Sequence, residues 1–217
     1  MTDNYRSELF SRIKKLNFSN MQIVGQAFHL FLIFFAFFVL FFGAGYIIRP
    51  DESTKNVVTD FFCTGFADKN FFSFLRQAVS FASADFYSAL LILISGYTML
   101  SFPISTLCLI FTAAKSGYCF SCLWQILIDP GRLSGGGATF AYFAICKACV
   151  LAALIFVTIC ARDFSYRYSD LYRRSSHPLT SPESANYATV ALSGAGFTAL
   201  INLLFLTFQY ISPSTYI

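Results

Sequence analysis

Residues 86–128 have the sequence FYSALLILISGYTMLSFPISTLCLIFTAAKSGYCFSCLWQILI, which is apolar almost from end to end. As a single helix this stretch would be about 65 Å long, roughly twice the thickness of the hydrocarbon core of a bilayer. Pro103 has no backbone N–H to donate, and it disfavours helical geometry at the residue before it. A tight turn near Ser101–Pro103 is therefore predicted, and it divides the stretch into membrane spans at 86–100 and 103–128.

The composition of the chain also indicates a membrane protein. Hydrophobic residues make up 56% of the sequence and charged residues 12%, whereas about a quarter of an average soluble protein is charged. A soluble globular domain is excluded, because so few charged groups cannot cover its surface. An intrinsically disordered chain and a collagen-like fibre are excluded because they need other compositions. A nucleic-acid-binding module is excluded because a net charge of +4 does not provide its basic surface. The expected partners are membrane lipid and other proteins, not nucleic acid.

Three further apolar runs predict three further spans. The run at 23–48 is uncharged and much longer than the ~7–15 apolar residues of a signal peptide, so an uncleaved anchor is predicted. The turn-forming sequence DPGRLSGGG at 129–137 precedes the next run. The predicted fold is an all-α polytopic transmembrane helical bundle of about five spans. Its predicted parts are a basic cytoplasmic stub at 1–22, one membrane domain at 23–211 with spans at 23–48, 86–100, 103–128, 138–161 and 187–211, an outer segment at 49–85, a cytoplasmic loop at 162–186, and an outer tail at 212–217.

The second half of the outer segment has the spacing of an amphipathic helix. Over residues 70–84, apolar side chains recur at three- and four-residue intervals and so share one side of a helix. Two interpretations are open, namely a helix lying in the membrane interface and an ordinary loop helix packed on its neighbours. The residues on the apolar side are Phe71, Phe74, Leu75, Ala78 and Phe81.

The distribution of Lys and Arg predicts the orientation. Eight of these residues precede the first span or lie at 162–186, and five lie on the opposite side. Because short cytoplasmic loops are enriched in basic residues, the amino terminus is predicted to be cytoplasmic and the carboxyl terminus outside the cell membrane. A break at 115–117 in place of Pro103 would leave too short a span and would put the two basic clusters on opposite sides.

Lys115 and Lys147 are the charged residues deepest in the predicted spans. Counted from opposite membrane faces, they lie about 18 Å and about 12 Å deep, which is nearly one level in a ~30 Å core. A charged side chain inside a membrane is a candidate functional site, here with Ser116 and Gly117 next to Lys115.

Two interpretations of these lysines are open. In the first, each lysine donates its hydrogen bonds to backbone carbonyls or extends to a membrane interface. In the second, the two lysines form a polar site that holds an anion or a carboxylate of a partner. The groups within reach are carbonyls freed at the helix break between Gly96 and Pro103, water, hydroxyls, and carboxylates at the outer edge. The hydroxyls and carboxylates are those of Ser95, Thr98, Ser116, Asp85 and Asp129.

Two C-x-x-C pairs, Cys119 with Cys122 and Cys146 with Cys149, lie in the third and fourth spans. Cysteines three residues apart share a helix face, and the predicted depths of the pairs overlap, so four sulfurs could converge on a metal. Zinc sites with this spacing are normally built on turns, so buried thiols are the favoured interpretation and no cofactor is expected.

Catalytic motifs are missing from the sequence. His29 stands alone in an apolar run, His177 lies before Pro178, and neither has a nucleophile or carboxylate placed beside it. No nucleophile elbow, metalloprotease motif or phosphate-binding loop is present, so an enzyme is not expected. Small residues at Gly43, Gly45 and 193–196 allow close helix contacts, either within one chain or in a homo-oligomer.

The order of elements resembles the stage II sporulation protein M family of bacterial membrane proteins. The resemblance is carried by the basic stub, the first span, the polar outer segment, and a Ser95-Gly96 and Phe102-Pro103 turn leading into a span with Lys115-Ser116-Gly117. It implies a non-enzymatic protein of a spore-forming bacterium or a relative. In the best-known member it implies a role in forespore engulfment, with envelope partners that include a peptidoglycan-degrading enzyme.

Two functions follow as hypotheses. The first is a scaffold or anchor that binds other membrane or cell-envelope proteins. The second is a transporter or permease-like subunit, because lysines at the membrane midplane and a span broken by Gly and Pro are features of transporter substrate sites. A scaffold should depend on the outer segment at 49–85, and a transporter should depend on Lys115 and Lys147.

Overall fold

In the residues that it describes, the computed structural model contains a bundle of five long α-helices. It describes residues 2–49, 51–53, 71–128, 136–174 and 182–211, and every regular element in these ranges is a helix. The predicted all-α fold is therefore confirmed. The helices are α1 (Thr2–Ile48), α2 (Phe71–Ser95), α3 (Ser101–Ile128), α4 (Gly136–Arg174) and α5 (Pro182–Ile211).

Four of the five helices are long and apolar enough to cross a membrane. Their apolar portions are Ile23–Ile48, Ser101–Gln125, Phe140–Tyr168 and Ser184–Phe208, as expected for a multi-pass membrane protein. The fifth, α2, has 25 residues, and the apolar portion found among its described residues is Ser83–Ser95. That portion measures about 20 Å, against a hydrocarbon core of ~30 Å. The predicted span at 86–100 starts inside this helix, which begins at Phe71 and ends at Ser95.

The break between α2 and α3 lies at residues 96–100, slightly before the predicted position. The Thr98 backbone N–H donates to the Ser95 carbonyl at 2.9 Å, and the Thr98 hydroxyl donates to the same carbonyl at 2.8 Å. Pro103 lies in the first turn of α3, where a missing N–H removes no helical hydrogen bond. Pro103 therefore follows the turn instead of forming it. The first residue of the turn is Gly96.

Two predicted segments are continuous with their neighbouring helices. The predicted cytoplasmic loop at 162–186 is helical at both ends, because α4 continues to Arg174 and α5 starts at Pro182. Nothing from Arg162 to Arg174 is Gly or Pro, and charged residues at the end of a span do not stop a helix. The predicted amphipathic helix is the first half of α2. Within its predicted apolar side, only the Leu75 side chain is described, and it is exposed.

Helices α2 to α5 pack around a shared apolar core, and α1 packs mainly along α3. The approach of α1 to α3 is close because a Cβ at Gly117 would lie 2.5 Å from the backbone oxygen of Phe38. Large apolar side chains also cover the outside of the bundle, as expected for a surface in contact with lipid. Side chains in the core include Leu30, Ile92, Leu109, Leu154 and Phe205, and side chains on the outside include Phe28, Phe35, Leu91, Phe111 and Phe156.

Candidate functional site

Three polar side chains from three helices meet inside the bundle. The Lys147 ammonium on α4 donates to the Asp85 carboxylate on α2 at 2.6 Å, and to the Asn202 side-chain oxygen on α5 at 3.3 Å. The Asn202 amide nitrogen donates to the same carboxylate oxygen at 3.1 Å. The side chains of Lys147 and Asp85 are 10% and 2% exposed. We call Asp85, Lys147 and Asn202 the buried triad.

Asn202 makes the burial of this ion pair possible. Its amide donates to Asp85 and accepts from Lys147, so one neutral side chain satisfies both charged groups. Its second N–H donates to the Thr198 backbone oxygen at 3.0 Å. That bond fixes the amide on its own helix. Polar groups removed from water are stable only when their hydrogen bonds are made inside the protein, and the triad meets this condition with partners from three helices.

Lys115 on α3 lies next to the buried triad. It is half-buried, and it is close enough to Asp85 and Lys147 for a Coulombic interaction with each. The two lysines that were predicted at one depth are therefore within electrostatic range of each other. Helix α3 adds a buried hydroxyl at the same level, because Thr112 donates to Ser88 of α2 at 3.5 Å. Ser116 is buried as well.

Asn202 was not predicted from the sequence, and Asp85 was one of several predicted partners of the two lysines. Asp85 was considered only as an outer-edge carboxylate. In the structure it is 1% exposed, because α2 continues as one helix on both sides of it. Asn202 is an isolated polar residue in the apolar run of α5, and that isolation was the available signal. Asp129 and His177 lie outside the described residues.

The remaining predicted site residues have packing roles. Gly117 contacts the backbone of α1, and a Cβ at Gly96 would collide with the ring of Tyr187. The Tyr187 hydroxyl donates to the Leu93 backbone oxygen at 2.7 Å, which holds α5 against the end of α2. These contacts explain why both positions have no side chain.

The four cysteines of the C-x-x-C pairs do not form a cluster. Cys122 and Cys146 are buried, Cys119 is half-buried and Cys149 is exposed on the outside of α4. Among the described residues, no three His, Cys, Asp or Glu side chains come together as a possible metal site. His29 is exposed on the surface of α1.

Comparison with known proteins adds no family to this geometry. No protein-family model, curated protein or solved structure matches the chain. The resemblance to the stage II sporulation protein M family stays a prediction from the sequence.

Proposed function

We propose that the protein is a transporter or permease-like subunit of a membrane, and that the buried triad with Lys115 is its site for a small ion or polar solute. The observation that carries this proposal is the ion pair between Lys147 and Asp85 inside a bundle whose outer surface is apolar. A charged residue in a membrane interior is by default a functional-site hypothesis, because it is costly there.

Desolvation makes a purely structural role for this pair less favourable. Replacing a buried ion pair by apolar side chains of similar volume is often neutral or stabilising by about 1–4 kcal/mol. Apolar side chains at these positions would avoid the cost of burying two charges, so stability alone does not account for the ion pair. Keeping charges at this position is useful where they bind a proton or a charged ligand.

The arrangement can exchange its internal partners for a ligand. An anion reaching Lys147 and Lys115 would compete with Asp85, and a proton on Asp85 would release Lys147 from its ion pair. Each member of the triad belongs to a different helix, so a change of partners alters contacts between α2, α4 and α5. Coupling of ligand binding to helix packing is what transport across a bundle requires.

Ion flux into proteoliposomes tests the proposal. The purified chain is reconstituted with a trapped pH dye and a voltage dye, and gradients of protons, chloride and phosphate are applied in turn. We expect the wild type to pass at least one of these ions and the double variant Asp85→Asn/Lys147→Met to pass none. The matched control is Asp163→Asn/Arg167→Gln, which removes an exposed ion pair at 2.8 Å on α4 and should keep the flux. Equal flux in the two double variants, or no flux from folded wild type, would reject transport at this site.

A scaffold is the second candidate, and the exposure of α1 favours it. Helix α1 packs mainly on α3, and its other side presents large apolar residues along the whole span, including Phe28, Phe31 and Phe35. The helix also continues from Ile23 back to Thr2, which adds about 30 Å beyond the apolar portion. Such a helix can contact another membrane protein, as the resemblance to the sporulation family implies.

Co-purification from native membranes separates the two candidates. Wild type, the Asp85→Asn/Lys147→Met variant and a chain with residues 54–70 replaced by Gly and Ser are compared. A scaffold in the cell membrane should retain envelope partners in the first two and lose them in the third. Partners that are lost only in the triad variant, or in no variant, would contradict a scaffold that works through the outer segment.

A further inference from the structure

A second polar group lies at the other end of α4, where Arg162 reaches the start of α3. Its Nε donates to the Ser105 hydroxyl at 3.1 Å, and its Nη2 donates to the Thr106 hydroxyl at 2.8 Å. The guanidinium carbon lies 4.2 Å from the ring centroid of Phe102. These partners are all neutral. Within the described part of the chain, no carboxylate pairs with Arg162, and the adjacent Asp163 pairs with Arg167.

Arg162 has hydrogen-bond donors to spare. A guanidinium carries five N–H groups in a fixed plane, and the two hydroxyls accept two of them. The hydroxyls themselves donate to the Phe102 backbone oxygen, at 3.2 Å from Ser105 and 2.7 Å from Thr106. This arrangement orients both oxygens as acceptors toward Arg162. Three N–H groups remain for an anion, and a guanidinium binds phosphate oxygens in pairs.

The start of α3 adds further donors at the same place. The first N–H groups of a helix have no intrahelical partner, and the positive end of the helix dipole attracts anions. In α3 these groups are the N–H of Ser101 and of Phe102, because Pro103 has none and the Ile104 N–H donates to the Leu100 oxygen at 3.1 Å. Ser101, the first residue of α3, is 2% exposed, yet its hydroxyl has no hydrogen-bond partner. Ser101 and Ser105 are four residues apart and so share one helix face, the face that Arg162 contacts. A buried hydroxyl without a partner, an arginine with donors to spare and a helix N-terminus together form a donor set suited to an anion.

Aromatic residues place this group at the membrane boundary. Tyr97 contacts the rings of Phe164, Tyr168 and Tyr187 at centroid distances of 5.2, 5.7 and 5.3 Å. Tyrosine is enriched at the level of lipid headgroups. The apolar portion of α3 begins at Ser101, and the side chains of Met99, Leu100 and Phe102 around the site are exposed, as expected for residues that contact acyl chains.

We propose that Arg162 and the N-terminus of α3 bind the phosphate of an anionic phospholipid headgroup. The guanidinium and the Ser101 hydroxyl hold the phosphate oxygens, and the exposed apolar residues beside them contact the lipid tails. This site is separate from the buried triad, and it does not depend on transport. The phosphate could also come from solution, and the following experiment distinguishes the two sources.

Lipid retention and thermal stability of the full chain in dodecylmaltoside micelles test the assignment. Phosphatidylglycerol, phosphatidylcholine and inorganic phosphate are titrated separately, and bound lipid is counted by native mass spectrometry. The wild type is expected to retain one phosphatidylglycerol at least tenfold more tightly than phosphatidylcholine and to melt at a higher temperature with it. Arg162→Gln should lose that preference at least tenfold, and Arg162→Lys should keep part of it. Arg167→Gln, a matched control one turn along the same helix, should keep all of it.

Ser101→Ala covers the case in which Arg162→Gln fails to fold. Its hydroxyl has no partner to lose, so lipid-free stability should be unchanged while the affinity for phosphatidylglycerol falls severalfold. Equal retention of phosphatidylglycerol by wild type and Ser101→Ala would overturn the proposal, as would equal retention by wild type and folded Arg162→Gln. Stabilisation by millimolar inorganic phosphate with displacement of the lipid would assign the site to free phosphate and overturn the lipid assignment.

Discussion

Removing one charge of the buried triad should destabilise the protein more than removing both. At 2.6 Å, two unit charges attract each other by about 6 kcal/mol at an effective dielectric constant of about 20. Taking each ion out of water costs several kcal/mol, so the net contribution of the pair is small. A lone charge keeps its desolvation penalty and loses the attraction.

Three variants separate the attraction between the two charges from the cost of burying each of them. They are Asp85→Asn, Lys147→Met and the combination of the two. Each substitution nearly conserves volume, and Asn at position 85 can still accept from Asn202. We expect each single variant to lose about 3–5 kcal/mol of unfolding free energy, and the double variant to be close to wild type or more stable. Equilibrium unfolding in mixed micelles of dodecylmaltoside and SDS, followed by circular dichroism, measures all four proteins. The matched exposed pair, Asp163 with Arg167, should give changes of about 0.5 kcal/mol or less.

Additive losses would refute this reasoning. If the double variant loses as much as the two single variants together, the charges act independently, and their contact does not compensate for their burial. Single variants within about 0.5 kcal/mol of wild type would show that water reaches the site and screens it. The energetic basis of the candidate site would then be absent.

Two other substitutions test the packing of the bundle. Gly117→Ala should loosen α1 from α3, because its Cβ would lie 2.5 Å from the Phe38 backbone oxygen. The control is Gly43→Ala on α1, where a Cβ meets nothing within 4 Å. Disulfide trapping between engineered cysteines on α1 and α3 measures the contact. Tyr187→Phe should lose about 0.5–1.5 kcal/mol, because the hydrogen bond from its hydroxyl to the Leu93 carbonyl at 2.7 Å is lost, while that carbonyl still accepts from the Gly96 N–H at 3.1 Å. Thermal unfolding in micelles measures this loss, and an unchanged midpoint would contradict it.

The helical fold was predictable because apolar length and turn residues are local properties of the sequence. The run at 86–128 had to be divided, and Pro103 pointed to the right place within a few residues. The exact turn was missed because proline is tolerated in the first turn of a helix, so it marks a boundary without fixing its position. The helical ends of the predicted loop at 162–186 were missed for a related reason. Charge signals the end of the hydrocarbon core, whereas only backbone-breaking residues end the helix.

The candidate site was predictable in part. The sequence identified Lys115 and Lys147 from the cost of burying a charge, which depends on one residue at a time. Asp85, which lies 62 residues from Lys147, was only one of several partners within reach, and Asn202, which lies 55 residues from it, was not considered. Such contacts depend on the rotation and depth of each helix relative to the others. Arg162 and Ser105, which are 57 residues apart, were missed for the same reason.

Polar contacts are also what makes one arrangement of these helices better than its alternatives. Lipid tails are as apolar as the Phe and Leu side chains of the spans, so apolar burial alone does not select a helix rotation or depth. A shift of α4 by one turn would still bury apolar surface, but it would separate Lys147 from Asp85 and Arg162 from Ser105. Both contacts are made from the same helix, about 22 Å apart along its axis. Two fixed points on one helix determine its depth and its rotation, and so α4 positions the interior site and the boundary site together.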